Sequence, residues 1–269
     1  MRPEVERAAA RFRLAMPRRA LTGRIGDRLG RGLGASIEFE EHRAYRPGDD
    51  LRHVDWRAYA RTDRLDVKLF REEVAPIVDL VVDTSASMAA TPAKEQALRD
   101  LVDTFVRFAA RDGGRGRCHA AGGRPFEPGR EPFPIVGADA GLVPQAALAP
   151  NGLRIIVSDF LRPDDTAPAL RRIAAGAAHL FVVQLLDPGE LTPVVGGPTT
   201  LVDVESGARV DVVLDAATIA AYRTRLTRLC DDVATSVRSV AGTYARVVAA
   251  EPAAMLTTDL MRQGVVVPA

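Results

Sequence analysis

Residues 77–88, Ile77-Val78-Asp79-Leu80-Val81-Val82-Asp83-Thr84-Ser85-Ala86-Ser87-Met88, decide how the chain is read. The run begins with near-continuous aliphatic residues, the pattern of a strand buried on both faces, and closes on small polar residues ahead of a helical stretch. The same alternation recurs downstream. Candidate strands are Ile77 to Asp83, Leu153 to Ser158, Leu180 to Leu186 and Tyr244 to Val248; candidate helices are Lys94 to Ala110, Thr166 to Ala175, Ala216 to Val240 and Ala253 to Gln263. Apolar strands alternating with helices predict an α/β fold with a mostly parallel sheet covered by helices on both faces. Two hairpins are expected beside it, Arg117 to Phe126 around Gly122-Gly123 and Thr200 to Val213 around Ser206-Gly207.

Asp83, Ser85 and Ser87 form an Asp-x-Ser-x-Ser pattern at the carboxyl end of a buried strand, where open α/β sheets bind ligands. Alternate side chains of an extended loop point the same way, so one carboxylate and two hydroxyls can converge. Such hard oxygens suit Mg²⁺ or Mn²⁺, which keep waters on their remaining positions, and an open position invites a partner's carboxylate. The plain alternative is a capped helix start. A second strand end, Ile155-Ile156-Val157-Ser158-Asp159, supplies another hydroxyl and carboxylate that a parallel sheet would bring to the same edge.

Upstream, Ser36 to Glu73 is dense in charge yet carries short alternating runs at Ile37 and Phe39 and at Leu65, Val67 and Leu69. These predict two half-buried strands. Between them Arg46-Pro47-Gly48-Asp49 is turn chemistry, and Asp49 or Asp50 can cap a short helix through Trp56 and Tyr59. Val5, Ala8, Phe12 and Ala15 fall near helical spacing in an Arg-rich stretch that Pro17 should stop, which reads as a peripheral basic arm. Gly23, Gly26, Gly30, Gly32 and Gly34 then make a connector that lacks the Gly-Lys-Ser/Thr ending of a phosphate loop. The expected organisation is a basic arm (1–22), a small strand-helix-strand, β-rich module (23–75) and the sheet domain (76–269).

Of the 269 residues, 47% are hydrophobic and 26% charged, the usage of a folded globular protein. A net charge of +1 gives no overall pull toward nucleic acid or anionic lipid, although residues 1–34 hold nine arginines against Glu4, Glu6 and Asp27. Arginines 7, 11, 13, 18 and 19 interrupt the apolar stretch near the start, and no later segment is long and apolar enough to span a bilayer, so a cytoplasmic protein without a membrane span is expected. Cys118 and Cys230 lack CxxC spacing and read as reduced, packed thiols. His42, His53, His119 and His179 form no motif, and there is no Gly-x-Ser-x-Gly elbow, Walker A sequence or HExxH pair.

The segment Glu38-Phe39-Glu40-Glu41-His42-Arg43-Ala44-Tyr45-Arg46-Pro47-Gly48-Asp49-Asp50-Leu51-Arg52-His53-Val54-Asp55-Trp56-Arg57-Ala58-Tyr59-Ala60-Arg61 resembles the signature of the bacterial family called domain of unknown function 58. With Leu65-Asp66-Val67-Lys68 and the Asp-x-Ser-x-Ser strand behind it, the resemblance runs from about Gly23 to the C-terminus. Asp83, Ser85, Ser87 and Asp159 are also similar to the metal-ion-dependent adhesion site of von Willebrand factor A domains, which implies that fold and a Mg²⁺ site at these residues. That site takes a threonine from a second loop. No Gly-Gly-Thr sequence precedes Leu153, and Asp139 is the substitute in that region.

The resemblance implies a partner of the MoxR type of AAA+ ATPase and a chaperone-like role toward a client that the sequence does not identify. Family members often carry membrane helices before this region, so their absence implies a soluble variant. The expectation is a non-catalytic, protein-binding adaptor with Mg²⁺ or Mn²⁺ at the site. The segment containing Arg43, Tyr45, Arg46, Asp49, Asp50, Arg52, Asp55 and Trp56 is a candidate interface; Trp56 and Tyr59 could equally anchor the module to the sheet domain. Two other classes stand behind this one: a binder of nucleic acid or an acidic surface through the basic arm, and a hydrolase using Ser85 or Ser87.

Overall fold

The computed structural model describes residues 1–15, 37–72, 77–111, 114–129, 141–162, 166–194, 196–251 and 253–269, with side chains for all but 37–41 and 68–72. The elements begin with α1 (Pro3–Ala9), β1 (Phe12–Leu14), β2 (Ile37–Ala44), α2 (Trp56–Thr62), β3 (Asp66–Glu72), β4 (Ile77–Val82) and α3 (Pro92–Arg111). There follow β5 (Arg115–Ala120), β6 (Pro125–Phe126), β7 (Leu153–Ser158), α4 (Thr166–Ala174), β8 (His179–Leu186) and α5 (Pro188–Leu191). The chain closes with β9 (Gly197–Val202), β10 (Arg209–Leu214), α6 (Ala216–Ser239), β11 (Thr243–Val248), a π-helical stretch (Met255–Leu260) and β12 (Val266–Pro268). These fall into two units, residues 1–15 with 76–269, and residues 16–75.

In the larger unit, six strands pair in the order β11-β8-β7-β4-β5-β6, parallel except for β6, which returns from β5 as the expected hairpin. The strands are apolar on both sides because both faces are covered. Val81, Ile156 and Val182 stand in register on one face, where they pack with Leu170 and Ile173 of α4 and Val233 and Val237 of α6. Val78 lies an odd number of residues from Val81 and so faces the other way, level with Gly116. A Cβ on Gly116 would lie 3.4 Å from the Val106 Cα and 3.5 Å from the Ala109 Cβ, which places α3 against this second face. Leu98, Leu101, Phe105 and Phe108 form the buried stripe of α3, each contributing about 1.5–3 kcal/mol on burial.

One position in the sheet breaks the apolar pattern. Asp79 is 0% exposed, and its carboxylate accepts from Arg117 Nε at 2.7 Å and Ala149 N at 2.6 Å and lies 3.0 Å from His119 Nε2. Burial pushes its carboxyl up, yet the bonds from His119, the Ala149 amide and Arg117 together hold it below its ordinary value. Asp79 thereby ties β4 to β5 and to the segment that leads into β7.

The first residues depart from the reading as a basic arm. The helix ends at Ala9, and Phe12–Leu14 is a strand antiparallel to Val266–Pro268 in the larger unit. Arg11-Phe12-Arg13-Leu14 alternates with period two, and burial follows that period rather than the helical one: Phe12 and Leu14 are buried and Arg13 is exposed. Arg2 donates to the buried Asp100, and Arg107 to Glu6. Residues 16–22, including Pro17, and the glycine-rich connector 23–34 lie outside the described residues. Strands β9 and β10 make a two-stranded antiparallel sheet of their own, separate from the six.

In the smaller unit β2 and β3 pair antiparallel, with an irregularity between Phe39 and Glu41. The capping residue of α2 is Asp55, whose carboxylate accepts from the Arg57 and Ala58 amides at 3.1 Å. Asp50 caps the preceding 3₁₀ turn, Leu51–His53, and Asp49 accepts from the Arg46 amide. The expected cap is thus shifted, because the chain needs a separate 3₁₀ turn before the helix. Among the described residues, no helix is long and apolar enough to cross a membrane.

Replacing Asp79 by Ala should lower the unfolding free energy by about 3 kcal/mol, measured by urea denaturation, since Arg117 and His119 lose their shared acceptor. The folded pKa of Asp79 lies below its ordinary 3.8. Its stabilising effect is therefore present above that value and lost as the pH falls through the lowered one, so wild type and variant should converge in acid.

Candidate functional site

Parallel pairing of β4 with β7 aligns Val82 with Val157 and carries both chains out at the same edge. The Asp83 amide donates to the Val157 carbonyl at 2.8 Å, so Asp83 and Ser158 leave the sheet side by side. Ser158 Oγ donates to Asp83 Oδ2 at 2.6 Å, and the Ser85 amide donates to Asp83 Oδ1 at 3.0 Å. The Ser85 and Ser87 hydroxyls lie 3.0 Å apart. A 3₁₀ turn, Ala86–Ala89, follows and is pinned by the buried Met88. The carboxylate and two hydroxyls of the Asp-x-Ser-x-Ser pattern come together, with Ser158 as a fourth oxygen.

Asp159 is placed differently from these. Its Oδ1 accepts from the Leu161 amide at 3.1 Å and its Oδ2 from Lys94 Nζ at 2.9 Å, so both oxygens are engaged by the protein. The turn beyond it holds Phe160 at φ 55°, a left-handed conformation uncommon for a bulky residue, while the ring is buried in the core. Asp139 lies outside the described residues.

Three participants were not singled out from the sequence. Lys94 is 0% exposed and also donates to Glu190 Oε1 at 2.7 Å. Glu190 is held by a capping box at the start of α5: its Oε2 accepts from the Asp187 amide, and Asp187 in turn accepts from Thr91 Oγ1. A signal existed, because Lys94 falls on the stripe of Ala97, Leu98, Leu101 and Phe105, where a charge demands a buried partner. Glu205, at the tip of the β9–β10 hairpin, accepts from the Ser87 amide at 2.9 Å through Oε1. No local pattern marks it, since the contact spans 118 residues.

Burial pushes the Asp83 carboxyl above its ordinary value, and the neighbouring charge of Asp159 adds to this; the bonds from Ser158 and Ser85 oppose it. Lys94 is pulled down by burial but held net above its ordinary value by Asp159 and Glu190, so it carries a full charge between them. Asp83 has no such counter-ion among its described contacts. Asp83, Ser85 and Ser87 are a hard oxygen set that could hold a divalent cation. Among the described residues no group of three or more His, Cys, Asp or Glu side chains gathers to hold a metal; the set here draws most of its donors from hydroxyls.

The candidate interface residues are partly occupied with holding their own unit. Arg43 donates to Asp49 at 2.8 Å, Asp55 lies 3.0 Å from His42 Nε2, and the Tyr45 amide donates to Leu65. Arg52 donates to Asp50 at 2.6 Å and holds its carboxyl down at about 2. Trp56 stays 55% exposed and meets the exposed Tyr59 edge to face, 6.3 Å between centroids. Cys118 and Cys230 are buried free thiols, and burial pushes Cys118 up to about 12.

Replacing Lys94 by Met should cost about 3–5 kcal/mol in guanidinium denaturation, because Asp159 and Glu190 are left without their cation. Replacing Asp83 by Asn should act the other way, raising the thermal midpoint in chelator at neutral pH. The raised folded pKa means that ionised Asp83 opposes folding fully above that pKa and not at all below the unfolded value, so the gain should vanish in acid.

Residues 41–116 match the family described as Protein of unknown function DUF58. Uncharacterized proteins of Mycobacterium tuberculosis and Mycobacterium bovis are 31% identical to the chain over 217 residues, covering 71% of this chain and 68% of each relative. Among solved structures, the conserved hypothetical protein BatB from Bacteroides thetaiotaomicron is similar at a TM-score of 0.35 and 16% identity, over 64% of this chain and 90% of that one. The family match takes in both the charged signature around Arg43 to Arg61 and the strand that delivers Asp83, Ser85 and Ser87. Together with relatives aligned along two thirds of their length, this makes the chain a member of the DUF58 family of proteins of unknown function.

Proposed function

We propose that this protein is a non-catalytic, protein-binding adaptor that works in the cytoplasm with a MoxR-type AAA+ ATPase, and that its sheet is of the von Willebrand factor A kind. In this reading Asp83, Ser85 and Ser87 hold Mg²⁺ or Mn²⁺, and the cation in turn takes a carboxylate from the partner. The observation that carries it is the convergence of the Asp83 carboxylate with the Ser85 and Ser87 hydroxyls at the carboxyl edge of β4, the two hydroxyls 3.0 Å apart. Small hard cations accept a few protein oxygens of this type and complete an octahedron with water.

The electrostatics support the same reading. Asp83 is a half-buried carboxylate whose described bonds come from neutral donors, and a divalent ion beside it would supply the missing positive charge. Lys94 is shared between Asp159 and Glu190 and offsets one of their two negative charges, which leaves this edge of the sheet favourable to a further cation. Exposed Trp56 and Tyr59 give the smaller unit aromatic groups of the kind that anchor protein interfaces.

Tagged protein captured from native lysate should bring down an AAA+ ATPase in Mg²⁺ and release it in chelator, read by mass spectrometry. The Asp83→Ala protein should capture none while keeping its circular dichroism spectrum, because a ligand is lost without opening a core cavity. Equal capture in chelator would remove the cation from the mechanism, and absence of any ATPase in both buffers would remove the adaptor role.

A further inference from the structure

The β9–β10 hairpin reaches the site from a distant region of the chain, and its tip is built to present one side chain. Asp203 folds the tip: its Oδ1 accepts from the Glu205 amide at 2.8 Å and its Oδ2 from Ser206 Oγ at 2.9 Å, while its own amide donates to the Ala208 carbonyl. Gly207 turns the chain back at φ 70°, a conformation that glycine adopts without strain. Glu205 is thereby pushed forward until Oε1 accepts from the Ser87 amide at 2.9 Å.

The other oxygen does not fit a simple capping role. Glu205 Oε2 is buried and has no hydrogen-bond partner among the described residues. A carboxylate that merely capped the 3₁₀ turn would leave its second oxygen in water. A buried carboxylate oxygen is costly to leave unpaired, so such an atom in a folded protein marks an unseen water or ion. This one is carried to Ser87, whose hydroxyl is 3.0 Å from that of Ser85, next to the carboxylate of Asp83.

We propose that Glu205 is an in-cis carboxylate ligand of the cation site formed by Asp83, Ser85 and Ser87, filling the position that a partner's carboxylate would otherwise take. The inference rests on the cation reading of the site and adds its regulation: the protein carries its own competitor for the partner. The hairpin suits that role. Leu201, Val202, Val204, Val210 and Val213 are all exposed along it, so few apolar contacts hold it down, and segments with little buried surface open at low cost. A partner that supplies a stronger carboxylate can then displace Glu205 without unfolding the sheet.

The test uses Mn²⁺ alone, titrated into the full chain and followed by electron paramagnetic resonance, with amide exchange of residues 85–90 and 203–208 as a second readout. Glu205→Gln keeps the acceptor for the Ser87 amide and removes the charge. It should weaken Mn²⁺ binding about tenfold or more and abolish the Mn²⁺-induced slowing of exchange at the hairpin tip. Neutralising an exposed acid on α6, Asp232→Asn, should change neither. If Asp83→Ala loses Mn²⁺ while Glu205→Gln binds it as wild type does, Glu205 is not a ligand and the cation reading stands without it. No Mn²⁺ binding by the wild-type chain would overturn this proposal and the cation reading together.

Discussion

The parallel pairing of β4 with β7 is the constraint on which the rest of the site depends. Because the two strands run the same way in register, both leave the sheet at one edge, and the Asp83 amide is the last rung of that ladder. An antiparallel neighbour would have sent Ser158 and Asp159 to the opposite edge. With the parallel arrangement, Ser158 reaches Asp83 directly and Asp159 hangs one residue further out, within reach of the first turns of α3. The helix on that face packs directly over Gly116, where a Cβ would already touch Val106 and Ala109.

Charge is distributed around this edge in two layers. The inner layer is closed: Lys94 sits between Asp159 and Glu190, and the capping box of α5 fixes Glu190 in place. Breaking such a pair leaves an uncompensated buried charge, whereas the intact pair is close to neutral in stability, so its value lies in fixing geometry. The outer layer is open. Asp83 keeps a raised pKa, and Glu205 presents a buried oxygen with no described donor. The described contacts thus bring a cation to one pair of carboxylates and none to Asp83 or Glu205.

The smaller unit follows a different logic. Its carboxylates at 49, 50 and 55 are consumed locally, in a turn, a 3₁₀ cap and a helix cap, each with an arginine or histidine alongside. The charged signature is therefore to a large extent a self-supporting scaffold of short-range hydrogen bonds. Trp56 and Tyr59 are left exposed by it, as are Leu51 and Leu65.

Strands β4, β7, β8 and β11, the helices between them and the Asp-x-Ser-x-Ser edge were legible in the sequence, because buried parallel strands write themselves as short apolar runs and their carboxyl ends as small polar residues. The signature module was legible too, down to its two strands and its turn. At the start of the chain the helix over Pro3–Ala9 was legible but its end was not, since the helical period does not carry through Phe12: Arg11-Phe12-Arg13-Leu14 alternates as a strand that needs Val266–Pro268 to exist. Lys94 could have been found as a charge on an apolar stripe, but its partners Asp159 and Glu190 lie 65 and 96 residues away. Glu205 could not, for nothing in its neighbourhood distinguishes it from any exposed hairpin acid. Local patterning determined which segments became strands and helices and which residues stood at the sheet edge. Only the tertiary fold decided which distant charges met there, because Coulomb and hydrogen-bond partners are chosen by distance in space and leave no period in the chain.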